Sequence, residues 1–272
     1  MDDWPTSPSE INFRHTPGWR SQIRWWTHLT LLTLYPLILG VAGGLSRTDS
    51  DQPLLPTDTV TLLFAMGFEL MSFVVVFALA WWFSRVTTRQ LLLSWNGGVK
   101  PFVRGFFYSI ALRGGLMLLL FVIFAATGTT REVMDQLRPN TEGVVNAHSL
   151  LSNPVYLLLN LTLVSFVVGG LREELWRAGM LAGLAALFPR QFDDSRGQLL
   201  PITLVAVVFG LGHLPQGWGG VVMTTCLGFG FGWIMLRSQS IWEAVFAHGF
   251  FDASTFGMLY LFARFWPNLL GK

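Results

Sequence analysis

The chain has a single cysteine, Cys226, set in an apolar segment. That excludes an intramolecular disulfide and argues against a cysteine-based metal site. No cationic neighbour in sequence would turn the thiol into a thiolate, so Cys226 reads as a small packing residue. Charge is scarce as well: 12% of the 272 residues are charged and the formal net charge is +2. Too few charges remain for an ordinary soluble domain of this length, and the scattered basic residues do not suggest nucleic-acid binding. Also missing is the alternation of apolar and polar residues over about 10 positions that the strands of a membrane barrel require. Residues 1–24 hold Asp2, Asp3, Glu10 and three prolines, so they cannot be a secretory signal peptide.

What the chain has in abundance is apolar surface: 52% hydrophobic residues, with 12 Trp and 23 Phe. Several windows exceed 18 residues with few or no charges, long enough to cross about 30 Å of hydrocarbon as helices. The expected fold is therefore all-α, a polytopic membrane bundle of seven or eight transmembrane helices. Residues 1–24 are expected to be an extramembrane arm, 25–149 the first transmembrane helices and their loops, and 150–272 a core that carries the active site.

Apolar segments are expected at 25–46, with a kink at Pro36, and at 59–84, 105–127, 154–187, 199–214, 219–237 and 240–266. The run from Pro154 to Leu187 would be about 50 Å long as one helix, more than one membrane thickness. Gly169-Gly170 offers a break within it, and two crossings there would give the eighth span. With seven spans and a cytoplasmic amino terminus, ten Lys and Arg residues fall inside against five outside, as the positive-inside rule prefers.

Charges inside the apolar segments need a reason, since each costs roughly 2.5–3.5 kcal/mol at a helix centre. Glu69 reads as a structural hydrogen-bonding group and Arg113 as its partner or that of another buried carboxylate. The dense cluster is Arg172-Glu173-Glu174-Leu-Trp-Arg177. Two later segments add Phe209-Gly-Leu-Gly-His213 and His248-Gly-Phe-Phe-Asp252, with Glu243 just upstream. Glu173 and Arg177 are four apart and share a helix face, whereas Glu174 points about 100° away. The expectation is that Glu173 pairs with Arg177 and Glu174 supplies a general base. His248 and Asp252, also four apart, share a face.

Carboxylates and histidines suit proton transfer and water activation. A water held between a glutamate and a histidine can attack a peptide carbonyl, with a second histidine and nearby donors stabilising the oxyanion. The three clusters, in this order on separate helices, resemble the motifs of the CPBP intramembrane protease family. That family contains the type II CAAX prenyl endopeptidases and bacterial proteins linked to bacteriocin maturation or self-immunity; its motifs are Glu-Glu-x-x-x-Arg, Phe-x-x-x-His and His-x-x-x-Asn/Asp. The resemblance covers roughly 150–266. It implies an intramembrane endopeptidase of glutamic type, with Phe209 and His213 as the second motif and His248 and Asp252 as the third. It also implies that a glutamate and His213 activate water while His248 and Asp252 support the oxyanion. Arg177 stands four residues after Glu173, where the family places its arginine five after the first glutamate.

The expected partners are the lipid bilayer and a membrane-associated peptide or protein, whether a prenylated tail or a leader, and no nucleic acid. No cofactor is expected; a Zn²⁺ enzyme using His213, His248 and a glutamate is the alternative, although His-Glu-x-x-His is absent. A catalytically impaired scaffold or chaperone on the same fold is another, given the displaced arginine. A proton-coupled transporter is disfavoured because the two halves show no paired repeat.

Overall fold

The computed structural model describes residues 19–46, 53–95, 97–128 and 144–266. Among them are eight α-helices and no strand. They are α1 (Trp19–Ser46), α2 (Thr59–Ser84), α3 (Lys100–Thr127), the short α4 (Ala147–Ser152), α5 (Pro154–Leu187), α6 (Leu199–Leu211), α7 (Gly217–Ser238) and α8 (Trp242–Phe265). α1 begins at Trp19; the rest of the expected amino-terminal arm, residues 1–18, lies outside the described residues.

Four helical stretches are long and apolar enough to cross a membrane: Thr59–Ser84, Lys100–Ala126, Pro154–Leu187 and Leu214–Ser238. The chain is an integral membrane protein. Crossings beyond these four would have to come from α1, α6 and α8. The 13 residues of α6 extend only about 20 Å, and α1 and α8 carry Arg20, Arg24, Glu243, His248, Asp252 and Arg264 within their length.

α2 starts on Asp58, whose carboxylate accepts from the Thr61 amide at 2.9 Å, and stops at Arg85 in the left-handed conformation (φ 58°). Only 6% of the most apolar window of α3 is buried, and Phe64, Phe68, Phe107 and Phe121 on α2 and α3 project outward. In hydrocarbon such a surface costs nothing, because every helical backbone group is already bonded within the segment.

Pro36 lies inside α1. Lacking an N–H, it leaves the Leu32 carbonyl, four residues back, without its helical donor. The Trp176 indole of α5 donates to that carbonyl at 2.8 Å, so the proline doubles as a docking point. One turn away, both ring nitrogens of buried His28 face carbonyl oxygens, Ala80 of α2 at 3.0 Å and Gly179 of α5 at 2.9 Å.

α5 does not break at Gly169-Gly170. It runs unbroken for 34 residues, and its middle, Asn160–Arg172, is wound as a π-helix. Buried Ser165 donates to the Asn160 carbonyl five residues back at 2.6 Å. The two glycines instead serve close packing: a Cβ on Gly169 would stand 2.5 Å from Asp252 Oδ2, and one on Gly170 would stand 2.8 Å from the Val245 carbonyl. α8 lies against this surface, and because the chain does not reverse there, the second crossing that eight spans required is not formed. A long π segment is rare and tends to mark functional positions; here it ends where the charged cluster begins.

The turn before α8 is anchored by main-chain acceptors of the 85–95 loop. Ile241 N donates to Leu92 O at 3.0 Å and Ser240 Oγ to Ser94 O at 2.9 Å. The larger apolar core joins α1, α2, α5, α6, α7 and α8, and a smaller one surrounds Leu62, Tyr156 and Phe256.

Candidate active site

Glu173 and Glu174 open the α-helical stretch Glu173–Leu187 that follows the π segment of α5, and they point to different surroundings. Glu174 is fully buried and its Oε1 accepts from Arg177 Nη1. The pairing expected from sequence is therefore exchanged between the two glutamates: Arg177 takes the carboxylate three residues back rather than four. Both spacings bring side chains together on a helix, and the choice falls to the surroundings of Arg177. Its guanidinium sits over the Phe209 ring at 4.5 Å and near Phe231 at 5.6 Å, deep in the core and away from Glu173.

The same Glu174 oxygen accepts from His248 Nδ1 at 2.8 Å, while Phe231 stacks on the imidazole at 4.4 Å. His248 is thereby held by α5 on one edge and by α7 on one face. Its other nitrogen, Nε2, lies 3.6 Å from Glu173 Oε2 and 3.6 Å from Asp252 Oδ2. At that distance Asp252 makes no hydrogen bond to the ring, so Glu174 and not Asp252 orients His248.

Glu173 faces the other way, into a cavity of about 820 Å³ also lined by Glu69, Arg113, Arg172, His213, His248 and Asp252. Trp176, Phe209, Phe231 and Phe251 complete its walls, so the polar groups meet inside a largely apolar space. Glu174 and Arg177 do not line it. His213 reaches it from the end of α6, where its Nδ1 donates to the Phe209 carbonyl at 2.9 Å. A carbonyl only accepts, so in the neutral ring Nδ1 carries the proton and Nε2 offers a lone pair. Phe209 lies between the site's parts, its ring 4.6 Å from that of His213 and 6.3 Å from that of His248.

The structure thus brings Glu173, His213, His248 and Asp252 to one cavity, with Glu174, Arg177 and Phe209 behind them. Glu243 stands apart, bonded to Arg104 at 2.9 Å. Sequence reasoning counted Arg172 in the charged cluster and took Glu69 as structural, without pairing the two. Arg172 Nη1 meets Glu69 Oε1 at 2.6 Å and its Nη2 meets Glu173 Oε1 at 2.6 Å. Arg113 was expected beside a carboxylate; it binds the Phe251 carbonyl at 2.7 Å and the Ser254 and Thr255 hydroxyls at 2.8 Å instead. Two opposite charges inside different apolar segments, Glu69 and Arg172, were the available signal. Among the described residues no group of three or more His, Cys, Asp or Glu side chains is disposed to hold a metal ion.

No significant match is found among curated proteins or among solved structures. Residues 154–254, which contain Arg172, Glu173, Glu174, Arg177, Phe209, His213, His248 and Asp252, match the family described as Type II CAAX prenyl endopeptidase Rce1-like, the family that the three motifs resemble.

Proposed function

We propose that the protein is an intramembrane endopeptidase that hydrolyses a peptide bond of a membrane-associated substrate, with Glu173 as general base. The observation that carries this reading is that Glu173 and His213 line the same largely apolar cavity within the segment that matches an endopeptidase family. Glu173 keeps Oε2 unbound by Arg172, and the neutral ring of His213 has a lone pair on Nε2, so each offers an acceptor to water in the cavity.

In this mechanism the water oxygen adds to the substrate carbonyl as its proton passes to Glu173. The tetrahedral oxyanion accepts from the Nε2–H of His248 in its imidazolium form, whose Nδ1–H is held by Glu174. The C–N bond then breaks as Glu173 returns its proton to the departing amine. Water and peptide are consumed, an acid and an amine are formed, and the protein ends as it began. The apolar walls suit a lipid-modified or hydrophobic peptide, and the distribution of basic residues favours a cytoplasmic amino terminus.

The test is incubation of purified protein in proteoliposomes with two internally quenched peptides, one ending in a farnesylated Cys tripeptide and one with an unmodified leader-like sequence. Mass spectrometry of the products should find one internal cleavage in one of them. Intact peptides with folded, correctly inserted protein would count against the proposal.

A further inference from the structure

Arg172 is unusual among the buried cations because one guanidinium serves two carboxylates from two helices. Nη2 binds Glu173 Oε1 at 2.6 Å, Nη1 binds Glu69 Oε1 at 2.6 Å, and Nε donates to the Val168 carbonyl at 3.1 Å on its own helix. Nη1 also reaches the Tyr35 hydroxyl at 3.4 Å, and that hydroxyl donates to the main-chain carbonyl of Glu69 at 3.3 Å. All three guanidinium nitrogens are engaged, and the Arg172 side chain is only 11% exposed. Arg177, by contrast, serves one carboxylate and leaves Nε and Nη2 unbonded.

This arrangement answers a difficulty in the proposed mechanism, on which the inference rests. A base held by its own arginine is a weak base, because the cation favours the ionised carboxylate. A second carboxylate on the same guanidinium offsets part of that charge while leaving the geometry fixed. We infer that Glu69 and Arg172 are positioning residues for Glu173: Arg172 pins Oε1 so that Oε2 faces the cavity, and Glu69 preserves the basicity that Arg172 alone would remove.

A simple tether between α2 and α5 would use the same ion pair, so the test must separate the two roles. The charged and titratable groups around Glu173 are Arg172 and Glu174 on α5, Glu69 on α2, His248 and Asp252 on α8, and, along the cavity wall, Arg113 of α3, His213 and Tyr35. Substituting Glu69 leaves the others in place.

The experiment compares the pH dependence of kcat/KM for wild type, Glu69→Gln and Arg172→Gln on a cleaved quenched peptide in proteoliposomes, with a thermal melt of each variant. With Glu69→Gln the acid limb should move to lower pH by about one unit, and with Arg172→Gln to higher pH by a similar amount. Opposite shifts support the inference. Limbs that move together, or stay in place while the melting temperature falls, overturn it and leave a tether. If wild type cleaves neither peptide, the protease reading fails separately. The pair is then tested by infrared titration of the carboxyl band lost in Glu173→Gln: opposite displacement in the two variants supports positioning, and no displacement overturns it.

Discussion

Replacing Glu174 by Gln tests the division of labour between the adjacent glutamates, because the two carboxylates differ in what each leaves behind. Arg177 has 1% of its side chain exposed and Glu174 is its sole hydrogen-bonding carboxylate. Glu174→Gln keeps the shape and an acceptor oxygen but strands a buried cation. Breaking a buried pair on one side costs about 3–5 kcal/mol. Because Gln still accepts a bond and Phe209 still lies under the guanidinium, we take the lower end, about 3 kcal/mol, or a fall in Tm on the order of 6–12 °C. Glu173→Gln leaves Arg172 paired with Glu69 at 2.6 Å, so no cation is stranded and the loss should be smaller, about 1–2 kcal/mol. The assay is thermal unfolding in detergent, followed by tryptophan fluorescence. Adding Arg177→Met to Glu174→Gln removes the stranded charge and should recover most of the lost stability. The reasoning is refuted if Glu173→Gln is the more damaging single change, or if Arg177→Met brings no recovery.

Trp176→Phe keeps the packing at Pro36 but leaves the Leu32 carbonyl without a donor, at a cost of about 1–3 kcal/mol in the same melt. Gly169→Ala places a methyl 2.5 Å from Asp252 Oδ2, so cleavage should fall with little change in helicity by circular dichroism. At the start of α2, donation from the Thr61 amide holds the Asp58 carboxyl below its usual range. Its capping contribution is therefore complete at neutral pH and is lost as pH falls through that lowered value. Asp58→Asn should remove this acid-limb dependence of Tm.

The membrane bundle was legible because hydropathy over 18 or more residues leaves few alternatives to helices. The convergence of Glu173, His213, His248 and Asp252 was legible from the expense of placing them in apolar segments. Which glutamate holds Arg177 was not, since spacings of three and four both make neighbours, and the deciding contacts come from Phe209 and Phe231 on other helices. Gly169-Gly170 suggested a break because glycine weakens helices. What it provides is close approach to α8, which depends on a partner 70 or more residues away in sequence. Glu69 was set aside as structural and Arg113 offered as its mate. Separated by 103 residues, Glu69 and Arg172 meet only through the way α2 lies on the π segment.

The central claim is that a water held between Glu173 and His213 attacks the substrate. The most direct measurement is the cleavage rate of one quenched peptide by wild type, Glu173→Gln, His213→Ala and the double variant, all in the same proteoliposomes. The account predicts cleavage by wild type, a loss of about 100-fold or more in each single variant, and little further loss in the double, as for groups acting on one water. Cleavage at the wild-type rate by either folded single variant would contradict it.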